Sequence, residues 1–288
     1  LSLSDKVVIT CAITGAIANK AQCPYIPYTP AEIGEEARRA YEAGASVVHI
    51  HAREDDGSPS ISVDIFRRIY EEVRLRSPVL INFSTGAIGV PKEQRIAHIP
   101  VLKPDIAALN MGTLNYAKYS PRRKDLVFSM EFLNPIPDII YYIKTMQENG
   151  VQPECECFDL GHLETAYPLM DMGLLKHFQV SCILGVVGGI LATARNLAYM
   201  ASLVPPGIPW QVIGISMDQW MLCSTALALG GNIRVGLEDN FYLSEGVMAE
   251  GNGPLVEKAV RMTRDIGREP ANVEEAKILL KLNQHNEE

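Results

Sequence analysis

Two apolar patterns take turns along this chain. Short β-branched or apolar runs recur, and each is followed by a stretch whose apolar positions fall three and four apart. The first pattern reads as a buried strand and the second as an amphipathic helix. Lys6 to Ile13 (KVVITCAI) is the first strand, closed by Thr14-Gly15. After a proline-marked loop, Thr29-Pro30-Ala31-Glu32 carries the cap, first-turn proline and acidic first turn of a helix start, and that helix reaches Ala43 before Gly44. The apolar run from Val47 leads into His49-Ile50-His51-Ala52-Arg53, the second strand. Helix Val63 to Arg76, strand Val79 to Ser84 (VLINFS), helix Lys92 to Leu102 and strand Ile106 to Met111 (IAALNM) follow. A polar loop with Pro121-Arg122-Arg123-Lys124 and an apolar patch at Leu126 to Met130 interrupt the cycle. It resumes with helix Pro137 to Asn149, strand Glu154 to Asp159, helix Leu163 to Leu175, strand Phe178 to Leu184 and helix Thr193 to Leu203. Strand Trp210 to Ile215, helix Asp218 to Leu229, strand Asn232 to Glu238 and helix Leu255 to Ile266 complete it.

Eight strand-then-helix units in 288 residues predict an α/β fold, a (β/α)₈ TIM barrel whose usual length is ~250 residues. One domain is expected over residues 1–288, with a frayed tail from Gln284 to Glu288. A doubly wound open sheet is the alternative. A 47% hydrophobic and 21% charged composition is enough for a large core. The net charge of −8 speaks against a nucleic-acid or membrane-surface binder. No apolar stretch reaches the ~18 residues of a spanning helix, and the start lacks a signal-peptide layout, so a cytoplasmic protein is expected. The chain opens on Leu1 rather than methionine, which suggests that its first residues were trimmed, removed or left out. Six cysteines without a C-x-x-C pair read as reduced and structural.

Chemistry concentrates at the second strand. Side chains two apart on a strand share a face, so His49 and His51 project together at its carboxyl end, where parallel barrels carry their sites. The pair is expected to hold a metal. Two imidazoles and a carboxylate form a common zinc set that leaves a coordination position open. Glu238 is the favoured third ligand, because the eighth strand neighbours the first and ends on the same rim. Alternation sends Arg234, Gly236 and Glu238 to one face, with Gly236 leaving room for a ligand, while Asp239 turns away or swings back. The same rim collects Thr14 to Ile17, Ser84-Thr85-Gly86-Ala87, Gly112-Thr113, Asp159, His162 and Met217 to Gln219. Plainer readings stand beside these. The histidines can be hydrogen-bonded core residues, Arg234 the partner of a buried Glu156, Ser84 to Ala87 a simple turn or an anion cradle, and Arg122-Arg123-Lys124 a solvated loop or a phosphate contact. Cys155 and Cys157 read as packing, His98 as structural, and His177 falls on the opposite rim.

These residues together resemble the β-keto acid cleavage enzymes, a family whose founding activity is 3-keto-5-aminohexanoate cleavage. The resemblance spans nearly the whole chain. It rests on Ile13-Thr14-Gly15-Ala16 with Pro27-Tyr28-Thr29, on Ala43-Gly44-Ala45-Ser46-Val47-Val48-His49-Ile50-His51-Ala52-Arg53, and on Ser84-Thr85-Gly86. Cys157-Phe158-Asp159-Leu160-Gly161, Ile183-Leu184-Gly185 and Ile233-Arg234-Val235-Gly236-Leu237-Glu238-Asp239-Asn240 complete it. It implies a zinc-dependent enzyme that converts a β-keto acid plus acetyl-CoA to acetoacetate plus a new acyl-CoA, in a homo-oligomer. By the same resemblance His49, His51 and Glu238 bind zinc, and Arg234 with Asp239 removes a proton from the substrate. Ser84, the Ala87 backbone and Thr113 hold its polar groups. One departure bears on the substrate. Where the founding enzyme has a glutamate that receives the substrate's amino group, this chain has Ile17, which implies an uncharged acyl chain. Ala87 also replaces the second glycine of the family's Ser-Thr-Gly-Gly turn. An amidohydrolase-like zinc hydrolase and a non-catalytic ligand-binding barrel are the competing readings. The hydrolase places its histidine pair on the first strand and recruits further histidines, for which only His162 is at hand.

Overall fold

A computed structural model describes residues 2–120 and 122–282, so the expected frayed tail, Gln284 to Glu288, lies outside the described residues. Eight parallel strands close into a barrel. They are β1 (Ile9–Ala12), β2 (Val47–Ile50), β3 (Leu80–Phe83), β4 (Ile106–Asn110), β5 (Gln152–Cys157), β6 (Gln179–Leu184), β7 (Trp210–Gly214) and β8 (Asn232–Val235). Each pairs with its sequence neighbour and β8 pairs back onto β1, which excludes the open-sheet alternative. Helices follow the strands as the apolar spacing predicts. Pro30–Ala43 starts at a Thr29 cap whose hydroxyl accepts from the Glu32 amide, and Glu32 answers in a capping box.

Strand alternation divides the side chains into two cores. Cys11, Ile13, Val48, Ile50, Ile81, Phe83, Val212 and Val235 face the surrounding helices in one continuous apolar cluster. The opposite face of each strand fills the barrel interior in layers. At the bottom, Val8, Val47, Leu80 and Ile106 pack against Ala271, Val273, Ala276 and Leu280. Those last residues belong to or flank a C-terminal helix, Val273–Leu279, which plugs the amino-terminal end of the barrel and has no counterpart in the predicted elements. Above lies a polar layer: Glu154 accepts from Asn82, from the Ser181 hydroxyl at 2.5 Å and from the Gln211 amide at 2.9 Å. The site residues occupy the layer above that.

Two predicted helices are broken, each at a proline. Lys92 to Leu102 splits into Lys92–Arg95 and His98–Leu102, and Leu163 to Leu175 is replaced by Leu160–Glu164 and Ala166–Asp171. Pro100 and Pro168 each clash with the carbonyl four residues back, Ile96 and Glu164, and that is where the helices break. The segment read as a polar loop and apolar patch is a hairpin, Leu114–Ser120 paired antiparallel with Asp125–Phe132. It docks on the loop after β6, where the Ala117 amide donates to the Val187 carbonyl at 3.1 Å.

Candidate metal centre and the site around it

His49 faces Ala12 of β1 and Asn82 of β3 across the ladder, so it stands in the barrel interior near the carboxyl rim, 1% exposed. His51 follows two residues later, beyond the strand's end, on the same side. Its ring centroid lies 5.3 Å from that of His49. Glu238 reaches both: its Oε2 is 3.6 Å from His49 Nε2 and its Oε1 is 3.4 Å from His51 Nε2. One donor atom from each of the three lies within 4.8 Å of the others, the only such group of metal-ligating residues among the described residues.

Arg234 joins this group to Asp239. Its Nη2 donates to Glu238 Oε1 at 2.8 Å, and its Nε and Nη2 donate to the two Asp239 oxygens at 2.8 and 3.0 Å. Asp239 therefore swings back toward the interior. The plainer reading of Arg234 also holds, because its Nη1 lies 3.6 Å from Glu156. One guanidinium serves three carboxyl groups.

The electrostatics separate these carboxyls. Burial works against the charge on Glu238, but Arg234 and then the two imidazoles hold its pKa well below the usual carboxylate range. Burial, with the neighbouring Glu154, drives Glu156 the other way, well above the usual carboxylate range. Burial also pushes Asp239 up to about 6, against the pull of Arg234. Burial and the Arg234 charge keep His49 neutral, with its pKa well below normal.

The residues fit a divalent metal ion. Neutral His49 and ionised Glu238 are in the protonation states that ligation needs. The buried Glu238 Oε2 has no hydrogen-bond partner, as expected of an oxygen kept for an ion.

The sequence profile of the beta-keto acid cleavage enzyme family matches residues 6–282. The chain belongs to this family. It is accordingly an enzyme that cleaves a carbon–carbon bond of a β-keto acid. A 3-keto-5-aminohexanoate cleavage enzyme of Fusobacterium nucleatum is 38% identical over 283 residues, 97% of this chain and 99% of that protein. One from Acetoanaerobium sticklandii is 39% identical, over 96% of this chain and 98% of its own. A 3,5-dioxohexanoate:acetyl-CoA acetone transferase of Paraburkholderia graminis is 34% identical over 98% of this chain and 97% of its own. Among solved structures, ObcA in binary complex with oxaloacetate superposes with a TM-score of 0.72 at 20% identity, covering 90% of this chain and 67% of that one. At that identity the likeness speaks for the fold alone.

Ser84 and Ala87 line one small cavity together with His51. Ser84 is buried, and its hydroxyl accepts from the Gly86 amide at 3.0 Å. Ala87 is half-buried in the same turn, and Thr113 is exposed at the base of the hairpin. Asn134 joins them, a residue the sequence pattern did not single out. Its amide donates to the Thr113 hydroxyl at 2.8 Å, and its side chain accepts from Arg95, which also donates to the Thr85 carbonyl at 2.9 Å. Ser216 was absent from the candidates too. In the left-handed conformation at φ 61°, its amide donates to the Asp239 carbonyl at 2.8 Å.

Other rim residues do different work. His162 Nδ1 accepts from the Phe158 amide at 3.4 Å, and its ring fills the space beside Gly112. Asp159 caps the short helix Leu160–Glu164 by accepting from Gly161. The room expected at Gly236 is also corrected: a Cβ there would strike the Ala12 backbone of β1, so this glycine admits a neighbouring strand rather than a ligand. All six cysteines are free and buried. Ile17 sits on the loop after β1, 52% exposed. No described helix is long and apolar enough to cross a membrane.

Proposed function

We propose that the enzyme combines a β-keto acid bearing an uncharged acyl chain with acetyl-CoA, giving acetoacetate and a new acyl-CoA. The observation that carries this reading is the contact between the Arg234–Asp239 ion pair and Glu238, which sets a buried base beside a three-donor metal site. His49, His51 and Glu238 would hold zinc. When bound, zinc supplies a Lewis acid that stabilises negative charge on the substrate's keto oxygen.

The chain's own groups account for the rest. Asp239 takes the proton from the carbon between the keto and carboxylate groups, and Arg234 stays beside it as the anion develops. Ser84, the Ala87 backbone and Thr113 orient the substrate's polar groups. The resulting carbanion attacks the acetyl thioester carbon and the CoA thiolate departs. That thiolate then adds to the original keto carbon, and the carbon–carbon bond breaks to release acetoacetate, with a proton returned to its methylene carbon. Ile17 offers no partner for an ammonium, which favours a short aliphatic β-keto acid.

Free, buried cysteines suit a reducing compartment. We accordingly place the enzyme in the cytoplasm, as a homo-oligomer like the family it resembles. The test is a coupled assay of purified protein on a panel of β-keto acids, with and without acetyl-CoA, following acetoacetate. Acetoacetate is expected only with both substrates, and hydrolysis that proceeds without acetyl-CoA would overturn the reading. Elemental analysis of His49→Ala checks the ligands: a mutant that keeps a full equivalent of zinc removes His49 from the set.

A further inference from the structure

Arg53 ends the His49-Ile50-His51 motif, and the reaction above gives it no part. It is 1% exposed, and its hydrogen bonds run to main-chain carbonyls. Nε donates to Gly15 at 2.8 Å, Nη2 to Thr14 at 2.9 Å and to Ala18 at 2.7 Å, and Nη1 to Gly57 at 2.8 Å. No carboxylate among the described residues forms an ion pair with it. A buried cation with no carboxylate in direct contact is costly, so the four carbonyls must be arranged to receive it.

Three of those carbonyls belong to one loop. Between the end of β1 at Ala12 and the helix Pro30–Ala43 the chain has turns but no helix or strand. Ile17 lies between the Arg53-bound Gly15 and Ala18. The far part of the loop is tied separately, by the Thr14 hydroxyl donating to the Pro27 carbonyl at 2.6 Å and the Lys20 amide donating to the Tyr28 hydroxyl at 2.6 Å. The Arg53 guanidinium lies 5.1 Å from the centroid of that same Tyr28 ring. Gly15, in turn, packs directly against the Glu238 side chain. The guanidinium is thus the hub that joins the loop to the metal-ligand strand.

We propose that Arg53 is a positioning residue that fixes the loop bearing Ile17 over Glu238 and thereby sets which acyl chain the site accepts. The specificity half rests on the β-keto acid reading above; the loop-fixing half does not. Only a planar fork of donors can span these acceptors. A lysine keeps the charge but not the geometry, so the conservative variant separates a clamp from a mere field effect.

Hydrogen exchange on the full-length protein reads the clamp. In Arg53→Lys, amides across residues 14–20 are expected to exchange about tenfold faster or more, while β2 stays protected. Unchanged exchange in that loop overturns the proposal. In wild-type protein the buried Arg53 Nε–H should itself exchange slowly by NMR. Fast exchange there also overturns it, however the variant folds. Kinetics read the specificity. In an otherwise wild-type chain, Ile17→Glu should raise kcat/KM for an amino-bearing β-keto acid about tenfold relative to an aliphatic one. With Arg53→Lys present, that gain should shrink to about threefold or less; an undiminished gain defeats the claim. If wild type turns over no β-keto acid at all, the functional reading fails, and the exchange data still decide the clamp.

Discussion

A Cβ added to Gly15 would stand 2.7 Å from the Cγ of Glu238. The glycine also holds φ at +62°, a region that costs other residues about 1–2 kcal/mol. Gly15→Ala is therefore expected to fold but to push Glu238 off its position between the histidines. Zinc affinity should fall about 10- to 100-fold, the range seen when a ligand's support is lost. Competition with a chelator measures it, and an unchanged affinity would show that the loop does not hold Glu238 in place.

Asp239 and Arg234 answer differently to mutation. Asp239→Asn removes the proposed base and keeps the shape, so kcat should drop about 10²- to 10⁴-fold with zinc retained and KM nearly unchanged. Loss of zinc in that variant would place Asp239 among the ligands. Arg234→Met strands Glu238 and Asp239 in the interior without their cation. A destabilisation of about 3–5 kcal/mol is expected in denaturant titrations.

Asn134 links two segments proposed to hold substrate. Its side chain accepts from Arg95 at 2.9 Å and donates to the Gly112 carbonyl at 3.2 Å. Asn134→Ala should cost about 1–3 kcal/mol, since Arg95 loses a buried acceptor. Steady-state kinetics should show KM for the β-keto acid raised with kcat less affected. The opposite split would tie Asn134 to the chemical step.

His98 supplies a pH dependence. It is buried in stacking contact with Phe66, ring centroids 3.8 Å apart, and burial drives its pKa down to about 3. The sign follows from its being neutral when folded and free to protonate near 6.5 when unfolded. The unfolded state takes up a proton as pH falls below 6.5. Stability is thus lost at up to about 1.4 kcal/mol per pH unit until about pH 3, where the folded imidazole also protonates. Replacing it by His98→Phe should flatten the fall in melting temperature between pH 6 and pH 4 (an interval of about two units). An unchanged slope would assign acid sensitivity elsewhere.

Much of the fold is written locally. The strands and most of the helices were legible because a strand repeats every two residues and a helix every 3.6, and both periods survive in short windows of sequence. His49 and His51 fall together for the same reason. Glu238 could be added because the cycle of eight units forces the last strand beside the first. The same reading missed the breaks before Pro100 and Pro168 as sites where helices actually end. It also passed over the hairpin, whose polar positions such as Asn115 and Lys118 interrupt the apolar run.

By itself the amino-acid order determined the barrel, the pairing of His49 with His51 on one face and the family, since each depends on spacing along one segment or on the succession of segments. Only the closed structure decided what Arg53, Arg95, Asn134 and Ser216 do. Their partners include carbonyls and amides of the main chain, which every residue possesses, so no side-chain pattern announces them. Only there, too, could Arg234 be found between Glu156, Glu238 and Asp239, and Gly236 against Ala12. Those contacts exist because closing the sheet brings distant strand ends to one rim, a relation of distance in space that sequence spacing does not encode.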